Sequence, residues 1–592
     1  MPHADAATAK TLAAALDKHR AGDLAAARTL YDEVLAANPN DFDALHLKGA
    51  LLRRLGDAAA AVASIEKAIA AIPARALDAQ LNLANALFDA GRHADSIRHY
   101  DNALAATPDD AGAWTRRGDA QQLLGDNAGC VDSYKRALAL AANAPATWYN
   151  LGLALRKLER PAESLEAVER AIALRPAYGD ALKLAGNALT TLGRMREAGE
   201  RFAAALALKP DDAELESGLA HALHMQGQHA EARTHYDRAI ALRPGFTEAY
   251  FNRAVLSLET LDMAAGLADF ENAIASDPNH SMAHRAASAV LLATGDFKRG
   301  WDEYEWRWRG SQPDDRNRDF GAPRWQGDYD LAGKRILLHA EQGFGDTIQF
   351  VRYVPMVAAL GARIVLEVQP ALKPLFAGMA HVETLIGWRD PLPPVDCHCP
   401  LMSLPHAFGT TLETIPAPIS YLAAEPARVE AWRAYLSDKP GLRVGFACSG
   451  STTHKNDANR SIPIDAFLGV ASGAERFFCL QKDFRAADRA WLANRPDIAV
   501  LNDKLHHFAD TAALIAALDL VLCVDTSVAH LAGALGKPVW VLVPYNADWR
   551  WLQKRSDSPW YPSMRLFRQR RTGDWRDALA EVADALRKGP TP

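Results

Sequence analysis

The sequence predicts two structural parts: an all-helical repeat solenoid in the first half of the chain, and two α/β domains with parallel sheets in the second. Three observations predict this fold class. A motif of about 34 residues recurs eight times between Ala6 and Asn279. After Lys334 the pattern changes to short β-branched runs that alternate with helical segments. A proline-rich stretch, Pro391–Pro426, separates those runs into two blocks, and two successive βαβ blocks predict two domains.

Each copy of the repeat carries a small residue and a large one at fixed distances from its end. Successive copies end 34 residues apart, with one step of 35, and all but one end on proline. The small residues, 24 positions before that end, are Ala15, Gly49, Ala84, Gly118, Gly152, Gly186, Ala220 and Ala254. The large residues, eight positions before it, are Tyr31, Ile65, Tyr100, Tyr134, Val168, Phe202, Tyr236 and Phe270. This period and pairing predict tetratricopeptide repeats, in which two helices cross at the small residue.

The repeats are expected to span residues 8–310, as eight repeats followed by a capping unit. The last unit begins like a repeat but contains three tryptophans, Trp301, Trp306 and Trp308. A terminal repeat must cover its outer face, and tryptophans do not suit water. We therefore expect this helix to pack against the domain that follows. Residues 311–333 are polar and contain proline, and are predicted to be a linker.

The second part is predicted to contain an N-terminal α/β half over residues 334–436 and a C-terminal α/β half over residues 437–592. Short apolar runs of this kind are typical of buried parallel strands. A helix is expected from about Thr347 to Leu360. The expected strands are Arg335–His339, Arg363–Val368, Arg443–Ala447, Arg476–Leu480, Ala499–Leu501, Leu520–Val524 and Val539–Val543. In doubly wound domains the ligand lies in the cleft at the carboxyl ends of the strands.

Composition and charge exclude several classes of function. A net charge of -6 and a pI near 6.4 give no indication of nucleic-acid binding. The longest apolar stretch, Ala512–Val524, is interrupted by Asp519 and is too short to span a membrane. The first ten residues lack the apolar core of a secretory signal. The six cysteines are scattered, and Cys397-His398-Cys399 is spaced too tightly for a tetrahedral metal site. The sequence therefore predicts a cytoplasmic protein with reduced thiols.

A glycine-rich turn follows the first predicted strand. Gly343 and Gly345 let the backbone turn tightly and approach a ligand. Asp346 follows them where the next helix is expected to begin. One interpretation is that Asp346 only caps this helix, since aspartate is among the best N-cap residues. The other is that the turn belongs to a ligand site, and the residues leave both open.

A second set of candidates follows the first strand of the C-terminal half. The strand runs into Ser449, and a polar loop then carries Lys455 and Arg460. Cations in a loop after a strand are what an anionic phosphate ligand needs. The alternative is an ordinary solvated surface loop. Gln481 is also included among the candidates for donor binding.

The third set lies where another buried strand ends. Asp525 ends the strand, and a helix is expected to start at once with Thr526 and Ser527. The free backbone N–H groups of a helix N-terminus form a phosphate site. His530 lies one turn into the helix, on the same side as Thr526. The alternative for His530 is a histidine that is simply packed in the core.

These motifs carry a family resemblance. Gly345-Asp346, Arg460-x-x-Pro463 and the run from Asp525 to Gly536 together resemble the glycosyltransferases of the heptosyltransferase type, over residues 334–587. The resemblance implies a GT-B pair of Rossmann-like domains, a nucleotide-sugar donor as substrate and no cofactor. It also implies that Asp346 is the catalytic base and that the Lys455–Arg460 loop supplies a cation to the donor phosphate. That cation is usually lysine in the family, where this chain has Arg460. No metal is expected, because the helix dipole and these cations can neutralise the phosphate.

The order of the two parts adds a second resemblance. Repeats followed by such a half resemble bacterial tetratricopeptide glycosyltransferases, and the layout is similar to the eukaryotic protein O-GlcNAc transferase. Some bacterial members modify flagellin with sialic-acid-like sugars. The resemblance therefore implies a protein acceptor, with flagellin as a candidate, and a CMP-activated nonulosonic acid as a candidate donor.

Three repeats carry an asparagine two positions before the small residue: Asn82, Asn150 and Asn252. A side-chain amide can pair with an extended peptide backbone of any sequence, so these residues are the candidates for acceptor binding. The alternative is that they only solvate the inner helices.

The sequence thus predicts a protein O-glycosyltransferase that acts on Ser or Thr of a bound protein. Two alternatives stay open. One is a non-catalytic adaptor or export chaperone that keeps a degenerate transferase half as a fold. The other is a heptosyltransferase that acts on lipopolysaccharide.

Overall fold

The computed structural model describes residues 2–309, 318–437, 441–451 and 456–589. Lys455, one of the predicted phosphate ligands, lies outside these residues. The chain divides into two compact units, Met1–Asn252 and Arg253–Pro592. The predicted boundaries at residues 310 and 333 stay predictions. The last repeats belong to the same compact unit as both α/β halves.

Helices α1–α18 form the repeat solenoid, with two helices for each repeat and two for the capping unit. In order they are Pro2–Arg20, Leu24–Ala37, Phe42–Arg54, Ala58–Ala71, Ala76–Asp89, His93–Ala106, Ala111–Leu123, Asn127–Leu140, Pro145–Lys157, Pro161–Leu174, Gly179–Thr191, Met195–Leu208, Ala213–His224, His229–Leu242, Thr247–Glu259, Met263–Ser276, Ser281–Thr294 and Phe297–Tyr304. Helix α15 spans the division between the two units. The predicted fold class of this part is confirmed.

The small and large positions of the repeat pack directly against each other. A Cβ added at Gly118 would lie 2.7 Å from the Tyr134 ring, and one added at Gly186 would lie 2.7 Å from the Phe202 ring. Tyr134 is fully buried, and 2% of Phe202 is exposed. The two helices of these repeats therefore approach so closely that only glycine leaves room for the aromatic ring.

The N-terminal α/β half contains one parallel sheet of four strands, in the order β3-β2-β1-β4. Strands β1–β4 are Arg335–His339, Arg363–Val368, Val382–Gly387 and Cys397–Pro400. Helices α19–α23 are Phe344–Phe350, Val354–Ala359, Lys373–Phe376, Leu404–Ala407 and Pro426–Leu436. Strands β1 and β2 are found where they were predicted. Strands β3 and β4 were missed: β3 mixes polar with apolar residues, and β4 has only four residues.

The helix predicted from Thr347 to Leu360 differs from the structure in two ways. Helix α19 begins at Phe344, three residues earlier, and a 3₁₀ turn at Val351–Tyr353 separates it from α20. Pro355 explains the break, since it has no N–H to donate to the carbonyl group four residues before it.

The described part of the predicted linker is mostly exposed but is anchored by two buried side chains, Trp325 and Leu331. Only 2% of Trp325 is exposed. Its backbone N–H donates to the His398 carbonyl at 2.8 Å, and the His398 N–H donates to the Pro323 carbonyl at 3.0 Å. Residues 323–325 therefore pair with His398 of strand β4, in a single parallel bridge.

The C-terminal α/β half contains a parallel sheet of six strands, in the order β10-β9-β8-β5-β6-β7. Strands β5–β10 are Leu442–Ala447, Glu475–Cys479, Ala499–Val500, Leu520–Val524, Val539–Val543 and Met564–Arg568. Helices α24–α29 are Asp457–Arg460, Ile464–Leu468, Ala486–Leu492, Phe508–Ala517, Ser527–Ala534 and Arg576–Lys588. Every strand predicted here is present within one residue at each end, and β10 was missed. The order is that of a doubly wound sheet, and the direction in which strands are added reverses between β5 and β8.

The capping unit packs against the α/β part, as predicted. Trp301 is 1% exposed, and its indole N–H donates to the Thr410 carbonyl at 3.1 Å. Its ring also meets the Trp549 ring edge-on, with centroids 5.3 Å apart. No helix in the described parts of the chain is long and apolar enough to cross a membrane.

Candidate active site

The two predicted ligand motifs of the α/β part meet in the structure. Helix α19 starts after β1 and packs against α28, which starts after β8. Gly345 makes this approach possible, because a Cβ at that position would lie 2.8 Å from Cδ2 of His530. The carboxyl ends of β1 and β8 therefore lie near each other. The region between them, called the cleft below, is where doubly wound domains bind ligands.

Asp346 lies in the first turn of α19 and is not its N-cap. Gly343 occupies the N-cap position, and its backbone N–H donates to Oδ2 of Asp346 at 2.8 Å. The other carboxylate oxygen, Oδ1, pairs with the Arg550 guanidinium. One fifth of the Asp346 side chain is exposed. The interpretation of Asp346 as an N-cap is therefore wrong in its geometry, although the carboxylate does satisfy a backbone donor at the start of the helix.

Arg550 is a site residue that the sequence analysis missed. It lies in the 3₁₀ turn Trp549–Trp551 after β9. Besides Asp346, it donates to Asp548 at 2.9 Å and to the side-chain oxygen of Gln349 at 2.7 Å. The run Asp548-Trp549-Arg550 after a buried strand was the available signal. It was not used, because more than 200 residues separate Arg550 from its partner on α19.

Burial shapes the protonation of the carboxylates in the cleft. Burial raises the pKa of Asp346, and the Arg550 guanidinium opposes this shift. Burial, with the nearby Asp548 carboxylate, also raises the pKa of Asp525 to about 6. A carboxylate with a raised pKa is a stronger base than one with the usual pKa, and this suits Asp346 to accept a proton.

Arg460 is the predicted phosphate ligand that the structure describes. It ends the short helix α24, and its Nη1 donates to the backbone carbonyl of Asp525 at 3.1 Å. Its Nε is buried and has no hydrogen-bond partner within the described ranges, although it lies 3.8 Å from the Asp457 carboxylate, with which it forms an ion pair. Gly450 makes room for the guanidinium, since a Cβ there would lie 2.5 Å from Nη2. The structure thus brings together two predicted motifs of the C-terminal half, the loop that carries Arg460 and the run that starts at Asp525.

The start of α28 has unused polar groups. Thr526 is its N-cap residue, but no side chain caps the helix. The Thr526 hydroxyl is buried and lacks a hydrogen-bond partner among the residues described. Thr526 and Ser527 are both half-buried. An uncapped helix N-terminus beside a partly unpaired guanidinium is an anion-binding arrangement.

Three other predicted ligands contact the protein itself. The side-chain oxygen of Gln481 accepts the Ser449 N–H at 3.2 Å, and its amide donates to the Asp483 carbonyl at 2.7 Å. Gln481 therefore holds the loop after β5. His530 is 5% exposed and bonds to the Tyr561 hydroxyl at 2.9 Å. Burial lowers the pKa of His530 well below its usual range, so the ring is neutral. His530 fits the alternative of a packed core histidine.

The acceptor candidates lie in the repeats. The Asn82 amide contacts the His46 ring nitrogen at 2.7 Å, and the Asn150 amide donates to Asp119 at 3.1 Å. Both bonds join an asparagine to the first helix of the preceding repeat. Asn252 is half-buried. These positions are accessible but partly engaged, so their role in acceptor binding stays a prediction.

Comparisons with known families agree with both parts of the chain. Residues 30–63, 81–146, 149–213 and 189–258 match models of the tetratricopeptide repeat. Residues 477–545 match the model of glycosyltransferase family 9 (heptosyltransferase). That segment contains Gln481 and the motif from Asp525 to His530.

One curated relative and two solved structures are similar to parts of the chain. Protein FlbA of Caulobacter vibrioides is 29% identical over 367 residues, which cover 57% of this chain and 61% of FlbA. The match thus spans less than two thirds of FlbA. A MamA protein is 21% identical over 29% of this chain and 93% of MamA, with a TM-score of 0.28. YrrB, described as a TPR protein with an unusual peptide-binding site, is 21% identical over 32% of this chain and 96% of YrrB, with a TM-score of 0.29.

The repeat period, the two parallel sheets and the family matches all indicate a chain with a repeat part followed by an α/β part. The chain combines tetratricopeptide repeats with an α/β part that is similar, over residues 477–545, to glycosyltransferase family 9 (heptosyltransferase).

Proposed function

We propose that this protein is a glycosyltransferase that transfers a sugar from a nucleotide-activated donor to a Ser or Thr hydroxyl of a protein held by the repeats. The proposal is carried by one observation: a candidate base and a candidate phosphate-binding site lie in the same cleft. Asp346, a carboxylate with a raised pKa, lies on α19. Helix α28, which packs against α19, begins with an uncapped N-terminus beside Arg460.

The reaction follows from these positions. The acceptor oxygen bonds to the anomeric carbon of the sugar, and its proton passes to Asp346. The bond between the anomeric carbon and the donor phosphate oxygen breaks, and the phosphate leaves with the electron pair. Its negative charge is stabilised by Arg460 and the start of α28. The step requires no metal ion in this scheme.

The repeats supply the reason for a protein acceptor. Solenoids of this type present extended surfaces that bind proteins. Asn82, Asn150 and Asn252 are proposed to bind the backbone of the acceptor, with flagellin as one candidate. A nucleotide-sugar donor is proposed for the cleft, and a CMP-activated nonulosonic acid is one candidate. The match to heptosyltransferases favours a second candidate function, transfer to a lipid-linked saccharide.

Donor binding tests the proposal first. Purified full-length protein is titrated calorimetrically with CMP, UDP, GDP and ADP and with sugars activated by each nucleotide. Binding of one class, followed by slow release of the nucleotide from its sugar, is expected. A protein that binds none of these ligands but captures a protein partner would be an adaptor, and the proposal would be wrong.

A further inference from the structure

The last repeat unit reaches the loop that leads into helix α19, which carries Asp346. The loop residue Glu341 lies just before the glycine-rich turn, and Arg307 follows helix α18 in a 3₁₀ turn. The Arg307 guanidinium donates to both oxygens of Glu341, from Nη2 at 2.9 Å and from Nε at 3.2 Å. Only 5% of the Arg307 side chain and 1% of the Glu341 side chain are exposed. This is a buried, two-point contact between the capping unit and the active-site loop.

The next loop residue is held by the same unit. The Gln342 side-chain amide donates to the Tyr304 hydroxyl at 3.0 Å. The Arg307 guanidinium lies over the Tyr304 ring, 4.3 Å from its centroid. Gly343 follows, and its N–H donates to Asp346. Three consecutive loop residues are thus tied, two of them to the capping unit and the third to Asp346.

The capping unit also contacts the other partner of Asp346. The Arg550 guanidinium lies 4.3 Å from the ring centroid of Trp549. The Trp549 ring packs edge-on against Trp301 at 5.3 Å and against Tyr304 at 6.4 Å. Both groups that bond to Asp346, the Gly343 N–H and the Arg550 guanidinium, are therefore supported by residues of the last repeat unit.

Stability alone does not require this arrangement. A buried ion pair contributes little net stability, because the cost of removing both charges from water offsets their attraction. A well-packed apolar pair would hold the capping unit in place equally well, as Trp301 does. The two parallel hydrogen bonds of an Arg–Glu pair also fix the relative orientation of the two side chains. Here they hold the loop before Gly343 in one orientation.

We propose that Arg307 and Tyr304 are positioning residues for Asp346, so that the repeat part sets the geometry of the catalytic carboxylate as well as holding the acceptor. This inference rests on the proposed role of Asp346 as the base. It implies that even donor hydrolysis, in which water replaces the protein acceptor, depends on the capping unit. Misplacing a catalytic group by about 1 Å can cost about a hundredfold in rate.

The experiment compares Arg307→Lys with Arg253→Lys in the full-length chain. Lysine keeps the charge but cannot form the two parallel bonds to Glu341. Arg253 is the matched control, because it makes a similar two-point contact to Asp269, which is also buried, in the eighth repeat. Amide hydrogen exchange of peptides covering residues 341–350 and donor hydrolysis without acceptor are measured in both variants. Donor affinity and the pH dependence of hydrolysis complete the comparison.

Arg307→Lys is expected to speed exchange at Gly343 and to lower the hydrolysis rate about ten- to a hundredfold, with unchanged donor affinity. The acid limb of its pH–rate profile should also move, because the contacts of Asp346 change. Tyr304→Phe should show the same changes to a smaller extent. Arg253→Lys should change neither the exchange over residues 341–350 nor the rate or pH dependence of hydrolysis. Unchanged exchange over residues 341–350 in Arg307→Lys would overturn the inference, as would faster exchange with a wild-type rate and pH profile. The exchange result decides the positioning of the loop even if Asp346→Asn keeps full activity, an outcome that would refute only the proposed role of Asp346 as the base. Failure of the proposed function is distinguished from both, because the wild-type protein would then neither bind nor hydrolyse a donor.

Discussion

Replacing Asp346 by asparagine distinguishes a catalytic base from a carboxylate that only joins two elements. The native carboxylate accepts two bonds, one from the Gly343 N–H at 2.8 Å and one from Arg550. Asparagine offers one oxygen, so one of these bonds is lost. The loss should cost about 1–3 kcal/mol of the free energy of unfolding. Arg550 keeps its bonds to Asp548 and Gln349, so the variant should still fold.

Turnover should fall far more than stability. An amide cannot accept the proton of the attacking hydroxyl, and general-base catalysis contributes about 10²–10⁴-fold in rate. That loss corresponds to about 3–5.5 kcal/mol of transition-state stabilisation. The assay is single-turnover transfer or hydrolysis of the bound nucleotide sugar, with donor affinity measured in parallel and expected to stay unchanged.

Asp548→Asn is the matched control for this substitution. Asp548 bonds to the same guanidinium, at 2.9 Å, but it is not the proposed base. We expect a similar loss of stability and a loss of turnover of at most about tenfold, because Asp346 and its bond to Gly343 remain. Equal losses of turnover in the two variants, or a wild-type rate for Asp346→Asn, would show that Asp346 acts only through its ion pair.

Three further predictions follow from the same cleft. Arg460→Ala should weaken donor binding about ten- to a hundredfold, as measured by calorimetry. Arg485→Ala, which removes the other arginine paired with Asp457, should leave donor binding unchanged. Equal losses of affinity in the two variants would show that Arg460 does not bind the phosphate. Gly345→Ala should lower the free energy of unfolding by about 1–3 kcal/mol, since its Cβ would lie 2.8 Å from His530. Gly245→Ala should leave the free energy of unfolding unchanged, because no atom lies within 4 Å of a Cβ at that position. Equal denaturation midpoints for the two variants would contradict the close approach of α19 and α28. The base must be ionised to act and burial raises its pKa, so kcat/KM should fall with decreasing pH at values above the usual aspartate pKa of about 4; a profile flat down to that pKa would contradict the assignment.

The repeat part could be predicted almost completely from the sequence. Its signal is local, because Gly118 and Tyr134 are only 16 residues apart and recur with a fixed period. The buried strands of the C-terminal half were also predictable, since continuous apolar runs such as Leu520–Val524 have few other interpretations. Short strands with mixed polarity, such as Cys397–Pro400, gave no comparable signal.

The candidate site could be predicted only in part. Asp346 and Thr526 each follow a predicted strand, and that rule placed both at the ligand edge of a sheet. The bond from Arg550 to Asp346 could not be predicted, because it joins two residues that are far apart in the sequence and follow strands of different sheets. The support of the active-site loop by Arg307 is of the same kind. Local patterns identify the elements, whereas contacts between distant elements depend on how the domains pack.

The central claim is that this protein transfers a sugar to a protein, and intact-mass spectrometry tests it most directly. A candidate acceptor such as flagellin is incubated with the purified full-length protein and the nucleotide sugar that it binds, and in parallel with the Asp346→Asn variant. We expect the acceptor mass to rise by one or more glycosyl residues with the wild-type protein and to stay unchanged with the variant. An acceptor that binds the repeats but gains no mass with any donor bound by the cleft would contradict the account.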